Sequence, residues 1–537
     1  MTLKFNFTLV LILFMLVSGN PVFSQSFPIL TKKSGKSTVE EVNNYKYSVS
    51  KKVFDRLANA MGDKRQAKPN LIMQNSDRYG CTADLKKAQI WVEETTYDIC
   101  RGFGSDSLNA LAIILAKPLI HYYDRDDPSL YFPVENPEDS TTQALYVDNL
   151  AKASYLAYLA GFDGETSVPG IFGKLYDGYA VGKQIDGFPT KAGLKSAWKA
   201  ADSKGKQWKL IKEASDLMTI LADYETAATY KAQVLSSFQT LESLNFAGIN
   251  SLMAALEYVG PREVPFILPM ELDPNGRLVE SRNMKNDSLG KRKAFLQLAI
   301  SQFDKTIQLD SGFLDGYQNK GCALALAGAF ETANECLQIG LELCSTPKLT
   351  TNFLVMQGIV AAMQGNNNLA AQKMEKAKKI GDYLATQNLN ILRNKIPPTL
   401  TPTFQNPVKG VEKIEWFPLE NYLNNPETDM MVTVKSGLSC GVLQKALSKV
   451  YLQKFDELSK TIAIQQTISI YKGNTLRDIK LISTADNVQE AYGVPKRNIS
   501  MPGEFVWVYP ESGIYFRFKD LSTLKSWGIF VTQEHQR

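Results

Sequence analysis

Apolar residues in the first third of the chain recur at helical spacing. Leu108, Leu111, Ala112, Leu115 and Leu119 fall three, four or seven apart on one stripe, and Asp106 stands where the N-cap belongs. Helices are also predicted over Val39–Met61 and from about Thr142 to Ala160, the latter stopped by Gly161. The proline- and acid-containing run from Asp124 to Pro137 between them reads as a loop. Gln89–Ile99 opens with the β-formers Ile90, Trp91 and Val92, then turns helical or loop-like. More helices are expected over 165–185, 191–204 and 207–258. From 290 to 390 small residues recur with large apolar ones near them: Ala299, Phe303 and Thr306; then Tyr317, Gly321, Ala333 and Leu337; then Gly358, Ala370, Met374 and Ala377. Ile396–Pro407, rich in proline and threonine, reads as a linker. Beyond it alternation takes over, in "MVTVKSG", "TIAIQQTISIYKG", "EFVWVYP" and "GIYFRFK", the last two joined by the turn Pro510–Gly513. A short helix over Asp486–Tyr492 is closed by Gly493.

Length and charge narrow the function classes. The 537 residues leave room for several domains, and 44 % hydrophobic with 21 % charged residues is globular composition. Sixty basic against 55 acidic residues give a net charge of +5 without any basic block, so nucleic-acid binding is not expected. Lys4, the apolar run Phe5–Val17, and Val22 and Ser24 before Gln25 form a signal-peptide pattern, placing the mature protein in the periplasm or outside the cell. No later segment is apolar enough to span a membrane. In that oxidising setting Cys81 and Cys100 are candidates for a bridge, and the other four cysteines read as small buried side chains. No cysteine spacing suggests zinc, and no Walker, G-x-S-x-G or dinucleotide pattern stands in a strand–helix setting.

Three resemblances sharpen this picture. "SLNALAIILAKPLIHYYDRDD" and "DNLAKASYLAYLAGFD" resemble the two active-site helices of the HtpX and CAAX-protease family of zinc metallopeptidases, over residues 85–200. In that family H-E-x-x-H supplies two zinc ligands and a general base, and a downstream helix supplies a third ligand. In register, Lys117 takes the first histidine's place, Pro118 the glutamate's and His121 the second histidine's. Asp148 takes the place of the third ligand, and Lys152 that of an aspartate four residues on. Two ligands are too few for a catalytic zinc, Lys117 brings a cation where the metal would sit, and Pro118 is no base. The resemblance therefore implies an inactive domain with no catalytic residues and no cofactor. His121 reads as a packed histidine, Asp148 and Lys152 as an i,i+4 ion pair, and Lys117 as a second partner for Asp148. Asp124, Asp126 and Asp127 read as a solvated loop rather than a calcium site, and His535 lies too near the terminus for a triad. The small-residue pattern of 290–390, with a weaker unit at "ADYETA", resembles tetratricopeptide repeats. The final stretch, with "AYGVP", Trp507, Tyr509 and "GIYFRF", resembles the small periplasmic SmpA/OmlA-type module, its aromatics read as sheet-packing residues.

The expected fold is mainly α: a helical metallopeptidase-like domain, an α-helical tetratricopeptide-like array and a small α+β C-terminal domain. Its boundaries are 1–24 for the signal peptide, 25–205, 206–390, a linker and mixed segment 391–465, and 466–537. The expected function is protein interaction, with a peptide or protein partner on the repeat surface. The alternative is a periplasmic zinc peptidase with a non-standard metal site.

Overall fold

The computed structural model describes residues 39–534 apart from 75–79, 125–139, 163–167, 180–190, 192, 260–262, 274–288, 395–410, 416–417, 425–426, 459 and 521. The signal-peptide pattern, Asp126 and Asp127, the Ile396–Pro407 linker and His535 lie outside them. The chain divides into two compact units, one drawn from residues 1–59 and 68–205, the other from 60–67 and 206–537.

In the first unit the helical spacing becomes α1 (Val39–Met61), α2 (Glu94–Arg101), α3 (Ser107–Tyr123), α4 (Ser140–Leu159) and α5 (Val168–Gly178), followed by the start of α6 (Leu194–Ile220). Gly161 does stop its helix, at φ +79°. A three-stranded sheet joins them: β1 (Asn70–Gln74) pairs in parallel with β3 (Gln89–Glu93), which pairs antiparallel with β2 (Cys81–Asp84). Only β3 carried a strand signal. Lys46 on α1 reaches Glu94 and Asp98 on α2, at 2.5 and 2.8 Å, and ties those helices together. Helix α3 is not amphipathic in place: Ala110 through Ala116 are wholly buried, which an almost uniformly apolar helix requires. It runs on through Pro118, so the proline does not end it. Asp106 precedes α3 but makes no side-chain cap to the backbone; its carboxylate accepts from the Asn109 side chain.

In the second unit the predicted 207–258 helix is three: the rest of α6, α7 (Tyr224–Leu235) and α8 (Leu241–Leu256). Asp223 and Thr240 break it, their side chains capping α7 and α8 by accepting from Thr226 and Ser243. The helices Leu289–Leu309, Leu314–Leu326, Phe330–Leu343, Pro347–Met363, Asn367–Lys379 and Tyr383–Leu392 follow. Gly328, Gly365 and Gly381 turn the chain between them at φ of +80°, +80° and +102°. Gly321 faces Leu337 while Gly340 faces Tyr317, so Leu314–Leu326 and Phe330–Leu343 run antiparallel in close contact. Ala299, Phe303, Ala333, Leu337, Ala370, Met374 and Ala377 are all buried at these seams.

The glycines make this packing testable. A Cβ on Gly321 would lie 2.5 Å from Leu337 Cδ2, and one on Gly358 2.9 Å from Met374 Cγ. Gly321→Leu and Gly358→Leu are each expected to cost about 1–3 kcal/mol in thermal or urea unfolding. Gln372→Leu, at an exposed position, should cost nothing comparable. A change at Lys373 on the same helix would not be neutral, because that side chain is half-buried and donates to Gln357 at 2.9 Å. Equal losses at all three sites would contradict the helix pairing.

The C-terminal region departs from expectation. Strands β4 (Met430–Lys435), β5 (Leu438–Gln444), β6 (Ser448–Phe455), β7 (Lys460–Thr467), β8 (Arg497–Met501), β9 (Glu504–Tyr509), β10 (Ile514–Asp520) and β11 (Thr523–Glu534) form one antiparallel sheet in the order β4-β5-β6-β7-β11-β10-β9-β8. The expected boundary at 465/466 falls inside β7, which is bonded to β6 on one side and β11 on the other. There is thus no separate 466–537 module, and much of the supposed mixed segment is sheet. One face, with Val450, Leu452, Trp507, Phe516, Phe518 and Trp527, packs under the short helices Asn421–Asn424 and Ala485–Tyr492. Trp507, Tyr509 and Phe518 are core side chains there, whereas Tyr515 turns to the opposite face. That face meets α6 and α7: Tyr451 donates to Glu213 at 2.6 Å, and Tyr230 to Gln453 at 2.5 Å. Among the described residues no helix is long and apolar enough to cross a membrane.

Candidate functional site

Helices α3 and α4 bring the positions singled out in the sequence into one neighbourhood. The Asn149 side-chain amide of α4 donates to the Lys117 carbonyl of α3 at 3.5 Å. Lys152 bridges Asp124 and Asp148, at 3.1 and 3.2 Å, which includes the expected i,i+4 pair. The second partner of Asp148 is not Lys117 but Lys204, from α6, at 2.5 Å. The Asp148 carboxylate therefore lies between two ammonium groups, which is no posture for a metal ligand. Burial alone would lower the Lys152 pKa, but Asp124 and Asp148 outweigh it and raise it.

Lys117 is the unusual group. It is only 7 % exposed, and burial brings its pKa down to about 8, with Cys81 opposing. Burial, then the Lys117 charge, push the half-buried His121 below the ordinary imidazole range, so that it is neutral at pH 7. Pro118, buried beside them, offers neither a base nor a backbone donor. Cys81 and Cys100, the proposed bridge, are both buried free thiols, and burial pushes each far up the scale. These residues do not fit a zinc ion: an ammonium stands at the first ligand position, a proline at the base, and the remaining carboxylate is committed to lysines. Among the described residues no three His, Cys, Asp or Glu side chains are grouped to hold a metal. Chemically, the neighbourhood offers one buried amine that loses its proton near pH 8.

A second polar assembly, with no signal in the sequence, lies where the sheet meets α6 and α7. Asp216 accepts from Lys212 at 2.7 Å and Lys231 at 2.8 Å; burial opposes its ionisation, but the two lysines outweigh it and hold the carboxyl well below its usual range. Arg517 on β10 pairs with Glu504 on β9, which also takes Lys525 at 3.0 Å. Arg517 and Tyr515 both donate to Gln466, each at 2.9 Å. Tyr515 crosses over its sheet neighbour Gly528, where a Cβ would lie 2.4 Å from the hydroxyl. Lys212 and Asp216 stand four residues apart on α6, while Glu504, Arg517 and Lys525 meet only through the sheet; four cations share two carboxylates, and the attraction between Asp216 and Arg517 links helix to sheet.

An open groove of about 330 Å³ lies between α7, the Leu289–Leu309 helix and strand β4. Its walls are largely apolar, from Ala228, Ala232, Phe295, Leu298 and Val434, with Thr229, Gln233 and Lys435 at its margins. Strand β4 ends the sheet, so among the described residues one of its backbone edges has no strand partner. No protein-family model matches the chain, and no curated protein matches it in sequence.

Proposed function

We propose that the chain is an exported, periplasmic or secreted, interaction protein: a metallopeptidase-like front domain without catalytic chemistry, followed by a tetratricopeptide-like array that holds a peptide or protein partner. The observation that carries the reading is the fate of Asp148. The carboxylate at the third-ligand position is engaged by Lys152 and Lys204, and Lys117 and Pro118 stand where a ligand and a base are needed. On the binding side, the α7–β4 groove combines apolar walls with a strand edge that no other described strand covers, which suits an extended apolar peptide adding to β4 through its backbone.

The test is selection of displayed peptides on the purified protein, followed by affinity measurement against a groove-filling variant. Ala232 is half-buried in the groove wall, and Ala232→Arg puts a long charged side chain into it. The selected peptides should lose at least about tenfold in affinity, the equivalent of 1.4 kcal/mol, while the melting temperature stays unchanged. Undiminished binding by the folded variant would remove the groove from the proposal.

A further inference from the structure

The helices Phe330–Leu343 and Asn367–Lys379 carry opposite charge on their exposed faces. On the first, Glu331, Glu335 and Glu342 follow one another at four and seven residues and are exposed. On the second, Lys376, Lys378 and Lys379 crowd the last turn and are exposed too, Lys376 and Lys379 on one flank and Lys378 farther round the helix. None of the six closes a salt bridge with a described residue. Lysines suit a helix C-terminus and Glu331 a first turn, but the macrodipole does not account for Glu335 in mid-helix or Glu342 in the last turn. Each stripe also exposes large apolar side chains: Ile339 and Leu343, 48 % and 51 % exposed, beside the acids, and Ile380, 44 % exposed, beside the lysines.

The two stripes belong to one continuous surface. Gln338 donates to Glu342 at 2.9 Å, Gln357 donates to Gln338 at 3.3 Å, and Lys373 donates to Gln357 at 2.9 Å. That polar chain passes from the acidic helix, across Pro347–Met363, to the basic one.

We infer that a second copy of this chain docks on this surface, acidic stripe on basic stripe, about a two-fold axis. A uniformly acidic or uniformly basic partner would be repelled by half of the patch. Rotating the patch by a half-turn presents each stripe with its opposite, twice over, and brings Ile339 and Leu343 against the Ile380 region. An isologous contact of this kind needs only one self-complementary patch, and its charges select the register and partner. The inference is independent of the peptide groove, so Ala232→Arg should leave it intact.

The test is sedimentation equilibrium on the purified chain and on two charge-reversed variants. Wild type should be a dimer at tens of micromolar and dissociate as salt screens the charges. Lys376→Glu/Lys378→Glu/Lys379→Glu should be monomeric, and so should Glu331→Lys/Glu335→Lys/Glu342→Lys. An equimolar mixture of the two should recover a dimer, since each stripe then meets its opposite, and so should a single chain carrying all six changes. All six positions are exposed, and circular dichroism melts confirm that the variants are folded. A monomeric wild type, a dimer indifferent to either reversal, or a mixture that stays monomeric would each overturn the inference.

Discussion

Replacing Arg497 with alanine is expected to cost about 3–5 kcal/mol of stability, the range for stripping the cation from a buried ion pair. Arg497 begins β8, and its guanidinium donates to Asp273 at 2.9 Å; that carboxylate is wholly buried. It also donates to the Tyr224 hydroxyl at 3.1 Å and to the backbone carbonyls of Thr219 and Ile220. Those carbonyls close the last turn of α6, where acceptors lack intrahelical donors and the dipole favours a cation. One side chain therefore joins strand, helix end and buried carboxylate. Arg497→Lys should recover only part of the loss, because an ammonium cannot reproduce the planar fork. Arg497→Met combined with Asp273→Asn should be far milder than Arg497→Ala, since it removes both charges. Urea unfolding of the four proteins reads this directly, and a loss below about 1 kcal/mol for Arg497→Ala would contradict it.

Lys117→Met is expected to act in the opposite direction, stabilising the protein at pH 7 by about 3 kcal/mol. Bringing a lysine from 10.5 to about 8 by burial corresponds to that much at 1.36 kcal/mol per pH unit. The sign follows from proton counting. Below pH 8 the amine is charged in both folded and unfolded chains, and the folded chain bears the net cost of burying that charge. Between about pH 8 and 10.5 only the unfolded chain keeps the proton, so wild-type stability climbs towards that of the variant. Above 10.5 both are neutral and the difference closes. Denaturation of the two proteins between pH 7 and 10.5 should show a gap that narrows steadily. A gap that is absent at pH 7, or constant with pH, would mean that the Lys117 charge is compensated in place.

The helices of the first unit and the array were legible because their apolar and small residues recur at fixed spacing and their ends carry glycine or a capping side chain. Gly321 and Gly358 could be assigned to helix contacts for that reason. The sheet was legible where strands alternate cleanly: in β4 and β7, and in β9 and β10 with the turn Pro510–Gly513. Strand β6 is covered on both faces over its middle, so Tyr451 and Gln453 are as buried as Val450 and Leu452, and the alternation that marks a half-exposed strand is lost. The pairs that seat the sheet, such as Glu213 with Tyr451 and Asp273 with Arg497, lie more than two hundred residues apart, and nothing local announces them. At the candidate site the i,i+4 pair of Asp148 and Lys152 could be read from spacing, but Lys204 could not, because the fold brings it in from another helix.

The central claim is that the front domain does not cut. The most direct measurement is hydrolysis of an unfolded fluorogenic protein substrate by the purified chain, before and after zinc loading and dialysis, with bound metal assayed on the same sample. The expected result is no chelator-sensitive hydrolysis and far less than one zinc retained per chain. Retention of about one zinc per chain, the occupancy of a catalytic zinc site, together with cleavage abolished by a chelator, would contradict the account.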